Sequence, residues 1–256
     1  MTKAIDRIGP TREPRDWPVM RQRWRELLFL HWPVAAEDLR PLVPPALELD
    51  LFEGTAYVGL VPFTMEGVRP VGLPPVRGLS NFHETNVRTY VHREGRDPGV
   101  WFFSLDAANR IAVSLARRLF HLPYYYARMF LERDVATETG RGNPGSILYA
   151  GARRDARSTG PASYLVRALP VGAVNPARPG TLEHFLAERY FLYAPAGDRL
   201  YQGRVHHAPY PLQAADVLAL DESLVAAAGI RRPASPPMGH FARGVDVKVY
   251  ALRRSL

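Results

Sequence analysis

Between Phe82 and Val91 the side chains change character at every second position. Phe82, Glu84, Asn86, Arg88 and Tyr90 fall on one side of an extended strand, and Thr85, Val87, Thr89 and Val91 on the other. The next run, Val100–Leu105 (VWFFSL), is apolar at almost every position, the pattern of a strand covered on both faces, and residues 93–99 join the two as a hairpin. Helical spacing follows at Ala112, Leu115, Ala116 and Leu119, with Asp106 or Asn109 as cap and Pro123 as stop, before strand resumes over Tyr124–Leu131.

Upstream, residues 1 to about 15 carry little to bury and read as a flexible lead-in. Asp16 is placed to cap a short helix with Met20, Trp24, Leu27 and Leu28 on one side; residues 26–32 (ELLFLHW) then form a buried strand closed by Pro33. A short helix over Ala35–Leu42 stops at Pro44-Pro45. Leu47–Phe52 and Ala56–Met65 predict a hairpin about Glu53-Gly54, and a Pro/Gly-rich loop spans Val68–Gly78. Downstream, strands are predicted at Val135–Glu138, Ser146–Arg153, Ser163–Leu169, Tyr190–Tyr193, Leu200–His206 and Val245–Leu252, with short helices near Leu182–Arg189 and Glu222–Ala228. Many strands with few helices imply a mainly β protein, either a barrel or a strongly curved double sheet.

The polar row Glu84, Asn86, Arg88, Tyr90 has two readings. It is the wet face of an antiparallel sheet, or it lines an enclosed cavity. Phe82 and Tyr90 bracket the charges with aromatic bulk, which favours the cavity. Glu84 and Arg88 stand about 13 Å apart along the strand, too far for a direct ion pair, so each is free for another partner.

At 256 residues the chain is long enough to bury a large core without disulfides, and it has no cysteine. One domain over residues 21–256 behind a flexible segment 1–20 is the simplest division. No stretch has the length and apolarity of a membrane span, and the N-terminus lacks a signal-type apolar core, so a cytoplasmic protein is expected. The net charge of +8 invites a nucleic-acid partner, but the arginines are scattered as pairs and no nucleic-acid motif occurs, so none is expected. Lysine occurs twice, as Lys3 and Lys248.

Residues 140–145 (GRGNPG) match the dinucleotide pattern letter for letter, yet a strand-like run follows and Pro144 lies inside, so a hairpin turn is predicted. The eight histidines form no helical pair with a carboxylate, and adjacent His206 and His207 must point opposite ways on a strand. No metal and no cofactor is expected; a site assembled from His31, His83 and one of that pair is the alternative. Asp246, Lys248 and Tyr250 read as a solvated row.

The runs at 116–129 (ARRLFHLPYYYARM), 81–90 (NFHETNVRTY), 28–33 (LFLHWP), 185–193 (FLAERYFLY) and 205–212 (VHHAPYPL) resemble the uncharacterised YqjF-like bacterial family. That resemblance implies the acetoacetate-decarboxylase-like fold, a curved β-barrel with an internal cavity. In the decarboxylases the matching helix-to-strand junction reads approximately Gly-Arg-Glu-Ile-Phe-Gly-Phe-Pro-Lys-Lys, whose first lysine forms a Schiff base, its pKa lowered by a neighbouring cation and dry surroundings. Here Tyr124 and Tyr125 occupy the lysine positions, and a phenol cannot form an imine. Glu84 falls where the decarboxylases carry an active-site glutamate. Their carboxylate-binding arginine has no match near His31 and Trp32, which leaves Arg88 for that role.

These readings converge on a small-molecule protein, a lyase- or hydratase-type enzyme without a Schiff base acting on an oxo acid or carbonyl metabolite. Glu84 would be the acid/base, Tyr124 or Tyr125 the hydrogen-bond donor to developing oxyanion charge, and Arg88, Asn86, Tyr90 and His31 the substrate contacts. Neighbouring tyrosines alternate faces, so only one of Tyr124 and Tyr125 can serve. A non-catalytic ligand-binding protein using the same cavity is the alternative, and a homo-oligomer is compatible with either.

Overall fold

The computed structural model describes residues 5–134 and 144–255. Its β-strands are β1 (Met20–Val34), β2 (Glu48–Leu49), β3 (Ala56–Pro70), β4 (Phe82–Arg93), β5 (Arg96–Ala107), β6 (Tyr124–Arg133), β7 (Ile147–Arg153), β8 (Ser163–Asn175), β9 (Phe191–Ala196), β10 (Arg199–His206), β11 (Leu212–Glu222), β12 (Met238–Val249) and β13 (Arg253–Arg254). Four short α-helices join them: α1 (Ala36–Leu39), α2 (Arg110–Phe120), α3 (Leu182–Ala187) and α4 (Leu224–Ala227).

All thirteen strands belong to one sheet, and the sheet divides twice. One edge of β5 pairs with β4; its other edge takes β9 at Gly99–Trp101 and β6 at Leu105–Ala107, both parallel. β12 divides likewise, taking β10 at Val249 and β11 at His240–Ala242 opposite β1. Strands β12, β1, β3, β4 and β5 therefore form a wall shared by two rings of strands, one closed through β9 and β10, the other through β6, β7, β8 and β11. Each face of the wall buries its own apolar cluster: Leu28, Leu30, Leu60 and Val87 pack with Tyr149, Tyr164 and Val166, while Phe29, Val61 and Phe63 pack with Val205, Tyr210 and Val247. A strand buried on both sides needs near-continuous apolar sequence, which Leu27–Trp32 and Val58–Phe63 supply.

Several local expectations are corrected. Met20 to Leu28 is strand, not a helix capped by Asp16. Glu26 has φ 54, and the pairing of β1 with β3 shifts register between Arg25 and Leu30. That bulge moves the apolar phase by one residue, so Trp24, Leu27 and Leu28 fall at a spacing that imitates a helix. Residues 47–52 do not form the expected hairpin with β3, only an isolated Phe52–Thr55 bridge ahead of it; β2 lies against β4 instead, Glu48 opposite His92. β3 continues to Pro70, into the expected loop, because Met20 and Arg21 supply partners there. β11 was not anticipated, and β12 starts at Met238, before the expected Val245. The expected strand at Val135–Glu138 and the first four residues of the glycine pattern at 140–145 lie outside the described residues.

The stretch expected as a lead-in lies along the surface: Arg7 pairs with Asp50, Glu13 with Lys248 at 2.5 Å, and Asp16 with Arg253 at 2.7 Å. Among the described residues no helix is long and apolar enough to cross a membrane.

Candidate functional site

β4 delivers the polar row. The hairpin into β5 turns at Glu94-Gly95, both with positive φ (50° and 71°), a tight turn whose twist matches its strands. Cross-strand register sets Glu84 between Phe63 and Ala107, Asn86 between Val61 and Leu105, and Arg88 between Gly59 and Phe102. Glu84, Asn86, Arg88 and Tyr90 are all buried, at 3, 5, 8 and 0 % exposure, so the wet-face reading does not hold.

At one end of the row the Tyr124 hydroxyl donates to Glu84 Oε2 at 2.8 Å. Tyr124 arrives there because α2 ends at Phe120, His121 turns with a left-handed φ of 54, and β6 starts beside Leu105 on the face that β4 gives to Glu84. Burial pushes the Glu84 carboxyl up to about 8; the Tyr124 hydrogen bond opposes this and the charge of Asp106 adds to it. Burial and Glu84 together push the Tyr124 phenol well above its ordinary range. At pH 7 the pair is therefore an uncharged carboxylic acid beside an uncharged phenol.

Tyr125 faces the other way. Its ring lies 3.8 Å from the Arg153 guanidinium, which is paired with Asp106 at 2.7 Å on the far side of the sheet. The structure thus brings Tyr124, not Tyr125, to Glu84. Tyr126 shares the Tyr124 side and lies under Arg110 at 4.0 Å.

At the other end, Arg88 Nη2 donates to the Leu186 carbonyl at 3.0 Å, and the Tyr90 hydroxyl donates to the same oxygen at 2.7 Å. Leu186 is near the end of α3, where helical carbonyls lack an intrahelical donor. His31 Nε2 meets the Tyr90 hydroxyl at 2.7 Å. Gly59 permits this: a Cβ there would stand 3.0 Å from the His31 ring and 3.5 Å from Arg88 Cγ. Burial, with Arg88 and His240 adding, holds the His31 imidazole well below its ordinary pKa.

Among the described residues no carboxylate lies within ion-pair distance of Arg88. Its guanidinium sits 5.6 Å from the ring centres of both Phe29 and Tyr90. A second buried guanidinium, Arg189, reaches Asp50 at 2.6 Å and lies 4.8 Å from the Tyr90 ring; Arg7 shares that carboxylate. Of the three guanidiniums around Tyr90 and Phe185, Arg7 and Arg189 share Asp50 and Arg88 meets no carboxylate of the described residues, an imbalance that favours an anion.

Sequence reading did not find Asp50, Arg189, the Leu186 carbonyl or the Asp106–Arg153 pair. No periodicity marks them, since their partners are distant in sequence. His207 carried a signal: of two adjacent histidines on a strand one must point inward, and His207 is buried at 2 % while His206 faces Glu13. His31, His83 and these two form no metal-ligand cluster among the described residues; His83 bonds Thr64 instead. Three surface clefts, one of about 880 Å³ beside the β4–β5 turn, are lined by other residues.

The sequence profile of the DUF2071 family, described as an uncharacterized conserved protein, matches residues 21–246. The YqjF protein of Bacillus subtilis (strain 168) is 39% identical over 236 residues, 92% of each chain. Solved structures with the same fold include the enduracididine biosynthesis enzyme MppR complexed with pyruvate (TM-score 0.63, 15% identity, 93% of this chain and 91% of that one). Acetoacetate decarboxylase of Legionella pneumophila aligns equally well (TM-score 0.63, 12% identity, 95% and 92%), as does an acetoacetate-decarboxylase-like enzyme of Sphingomonas wittichii RW1 (TM-score 0.63, 10% identity, 93% of each). The fold is acetoacetate-decarboxylase-like, as the sequence resemblance implied, and at these identities the likeness extends to the fold alone.

Proposed function

The chain belongs to the DUF2071 family, and from that premise we propose that it is a small-molecule enzyme acting on an oxo acid or related carbonyl metabolite without a Schiff base. One observation carries this reading: a buried, protonated Glu84 hydrogen-bonded to Tyr124 shares a strand face with Arg88, a buried cation facing no carboxylate among the described residues. Arg88 holds the substrate carboxylate, with Asn86, Tyr90 and His31 beside it. Glu84 moves a proton to or from the carbon next to the carbonyl, and the Tyr124 phenol donates to the carbonyl oxygen as that oxygen gains negative charge. A carboxyl with pKa about 8 is matched to proton transfer near neutrality. A phenol held well above its ordinary pKa stays a donor throughout.

Two further facts support the reading. MppR, which shares the fold, is seen with pyruvate, a 2-oxo acid. Lysine chemistry has no seat at the junction, where Tyr124 and Tyr125 stand, and Lys248 is ion-paired with Glu13 elsewhere.

The test is deuterium exchange of the protons next to the carbonyl across a panel of 2-oxo and 3-oxo acids in D2O. The wild type should exchange at least one, with a rate that rises with pH up to about 8 as Glu84 ionises to the carboxylate that removes the proton. Glu84→Gln should lose at least about 100-fold. Borohydride added with the same acid should leave the protein mass unchanged. A wild type that binds an oxo acid yet never exchanges its protons sinks the enzyme reading in favour of a ligand-binding protein.

A further inference from the structure

Among the described residues, buried polar atoms near Arg88 remain without hydrogen-bond partners, and proton bookkeeping tells which are donors and which acceptors. Tyr90 has one hydroxyl proton. The Leu186 carbonyl, 2.7 Å away, can only accept, so that proton goes to Leu186. The contact between Tyr90 and His31 Nε2 must then be made by a proton on Nε2. In the neutral imidazole this leaves Nδ1 a bare lone pair, and Nδ1 is buried with no partner.

His207 is fixed in the same way. Its Nδ1 stands 2.8 Å from the Ala208 carbonyl, which again can only accept, so Nδ1 carries the proton. Its Nε2 is therefore a second bare lone pair, buried and unpartnered. Burial holds this ring near pKa 4, so it too is neutral at pH 7. His207 stacks on Tyr190 at 4.6 Å and lies 4.5 Å from Tyr210, which packs at 5.2 Å on Phe29, the ring beneath Arg88. Arg88 is close enough to depress the pKa of both histidines. Asn86, one step along the strand face, has an unpartnered amide oxygen and can present either end of its amide. Arg88 Nε is an unpartnered donor in the same region.

The inventory is one cationic donor beside two obligatory acceptors and one adaptable amide. A plain carboxylate would satisfy Arg88 and leave both imidazole lone pairs empty, each costing free energy in a dry interior. A ligand that supplies hydroxyl or amine protons as well as a carboxylate satisfies the whole set. We infer that the site around Arg88, His31 and His207 is built for a small hydroxylated or amino-bearing carboxylate, with the anion on Arg88 and donor groups on the two imidazole lone pairs. This inference rests on the reading of Arg88 as the carboxylate anchor. It adds the substrate class: hydroxy-oxo acids and sugar-acid-like compounds in preference to unadorned oxo acids.

The experiment uses three four-carbon acids matched in size: butanoate, 3-hydroxybutanoate and threonate. Affinities for the full-length protein are read by calorimetry, and the imidazole nitrogens by 15N NMR. Affinity should rise along the series, about tenfold or more for each hydroxyl that meets a buried lone pair. The unprotonated ring nitrogens of His31 and His207 should move on adding threonate and stay in place with butanoate. His207→Phe, which keeps the stacking ring, should reduce the ratio of threonate to butanoate affinity by about tenfold. If that variant does not fold, the wild-type nitrogen shifts decide the matter alone. Equal affinity for the three acids, no binding of any of them, or threonate binding that moves neither ring nitrogen overturns the inference. Arg88→Gln separates the two layers: acids that bind this variant as well as wild type remove the anchor reading, whereas a flat series in wild type removes only the hydroxyl preference.

Discussion

Glu84 carries the proposed proton transfer in one carboxyl group, and its environment has a thermodynamic signature independent of any substrate. Its folded pKa, about 8, lies above the ordinary 4.5, so the folded state binds this proton more tightly than the unfolded chain does. The associated stability is fully present below pH 4.5 and is lost as pH rises through about 8. Wild type should therefore lose stability relative to Glu84→Gln across that window, by several kcal/mol over its whole span, since one pKa unit corresponds to about 1.4 kcal/mol. Parallel urea melts at pH 5, 7 and 9 check this; wild-type and variant curves that stay parallel would mean that Glu84 is ionised when folded. The residue types of this row were legible in the sequence, since alternation alone puts Glu84, Asn86, Arg88 and Tyr90 on one face. Which tyrosine meets Glu84 was not, because alternation separates Tyr124 from Tyr125 without saying which side is occupied.

α2 is the element that aims Tyr124, and its start is fixed by one side chain. Asn109 Oδ1 accepts from the backbone N–H groups of Ile111 and Ala112, both at 3.0 Å, satisfying donors that a first helical turn leaves open. Asn109→Ala should cost about 1 kcal/mol of stability and Asn109→Asp much less, by thermal or urea denaturation. A cap is readable because it is local chemistry: a short polar side chain, then helical spacing, then Pro123. β1 was misread for an equally local reason. The left-handed Glu26 inserts one residue into the alternation, and across Met20–Leu28 the shifted phase cannot be told from helical spacing without seeing β3 and β12 on either side.

Across the whole molecule the buried charges join segments that no local pattern connects. Asp50, in the turn after β2, is shared by Arg7 near the N-terminus and Arg189 after α3, the latter 139 residues away. Asp50→Asn removes the counter-charge from a guanidinium with 2 % side-chain exposure. The expected loss is about 3–5 kcal/mol, because an unpaired buried cation is costlier than the pair is favourable. A loss below about 1 kcal/mol in urea denaturation would show that water reaches Arg189 freely. By itself the sequence determined the alternation of β4, the doubly buried runs, the capped helix, the hairpin between β4 and β5 and the absence of lysine at the Pro123 junction. Each of these is set by the stereochemistry of a few neighbouring residues. The tertiary structure alone decided that the sheet divides at β5 and β12, that the polar row faces an interior, that Tyr124 and not Tyr125 reaches Glu84, and that Arg88 meets no carboxylate among the described residues. Those outcomes depend on contacts such as Val205 with Val249 and Leu105 with Tyr124, made only once the rings close, and periodicity carries no information across such separations.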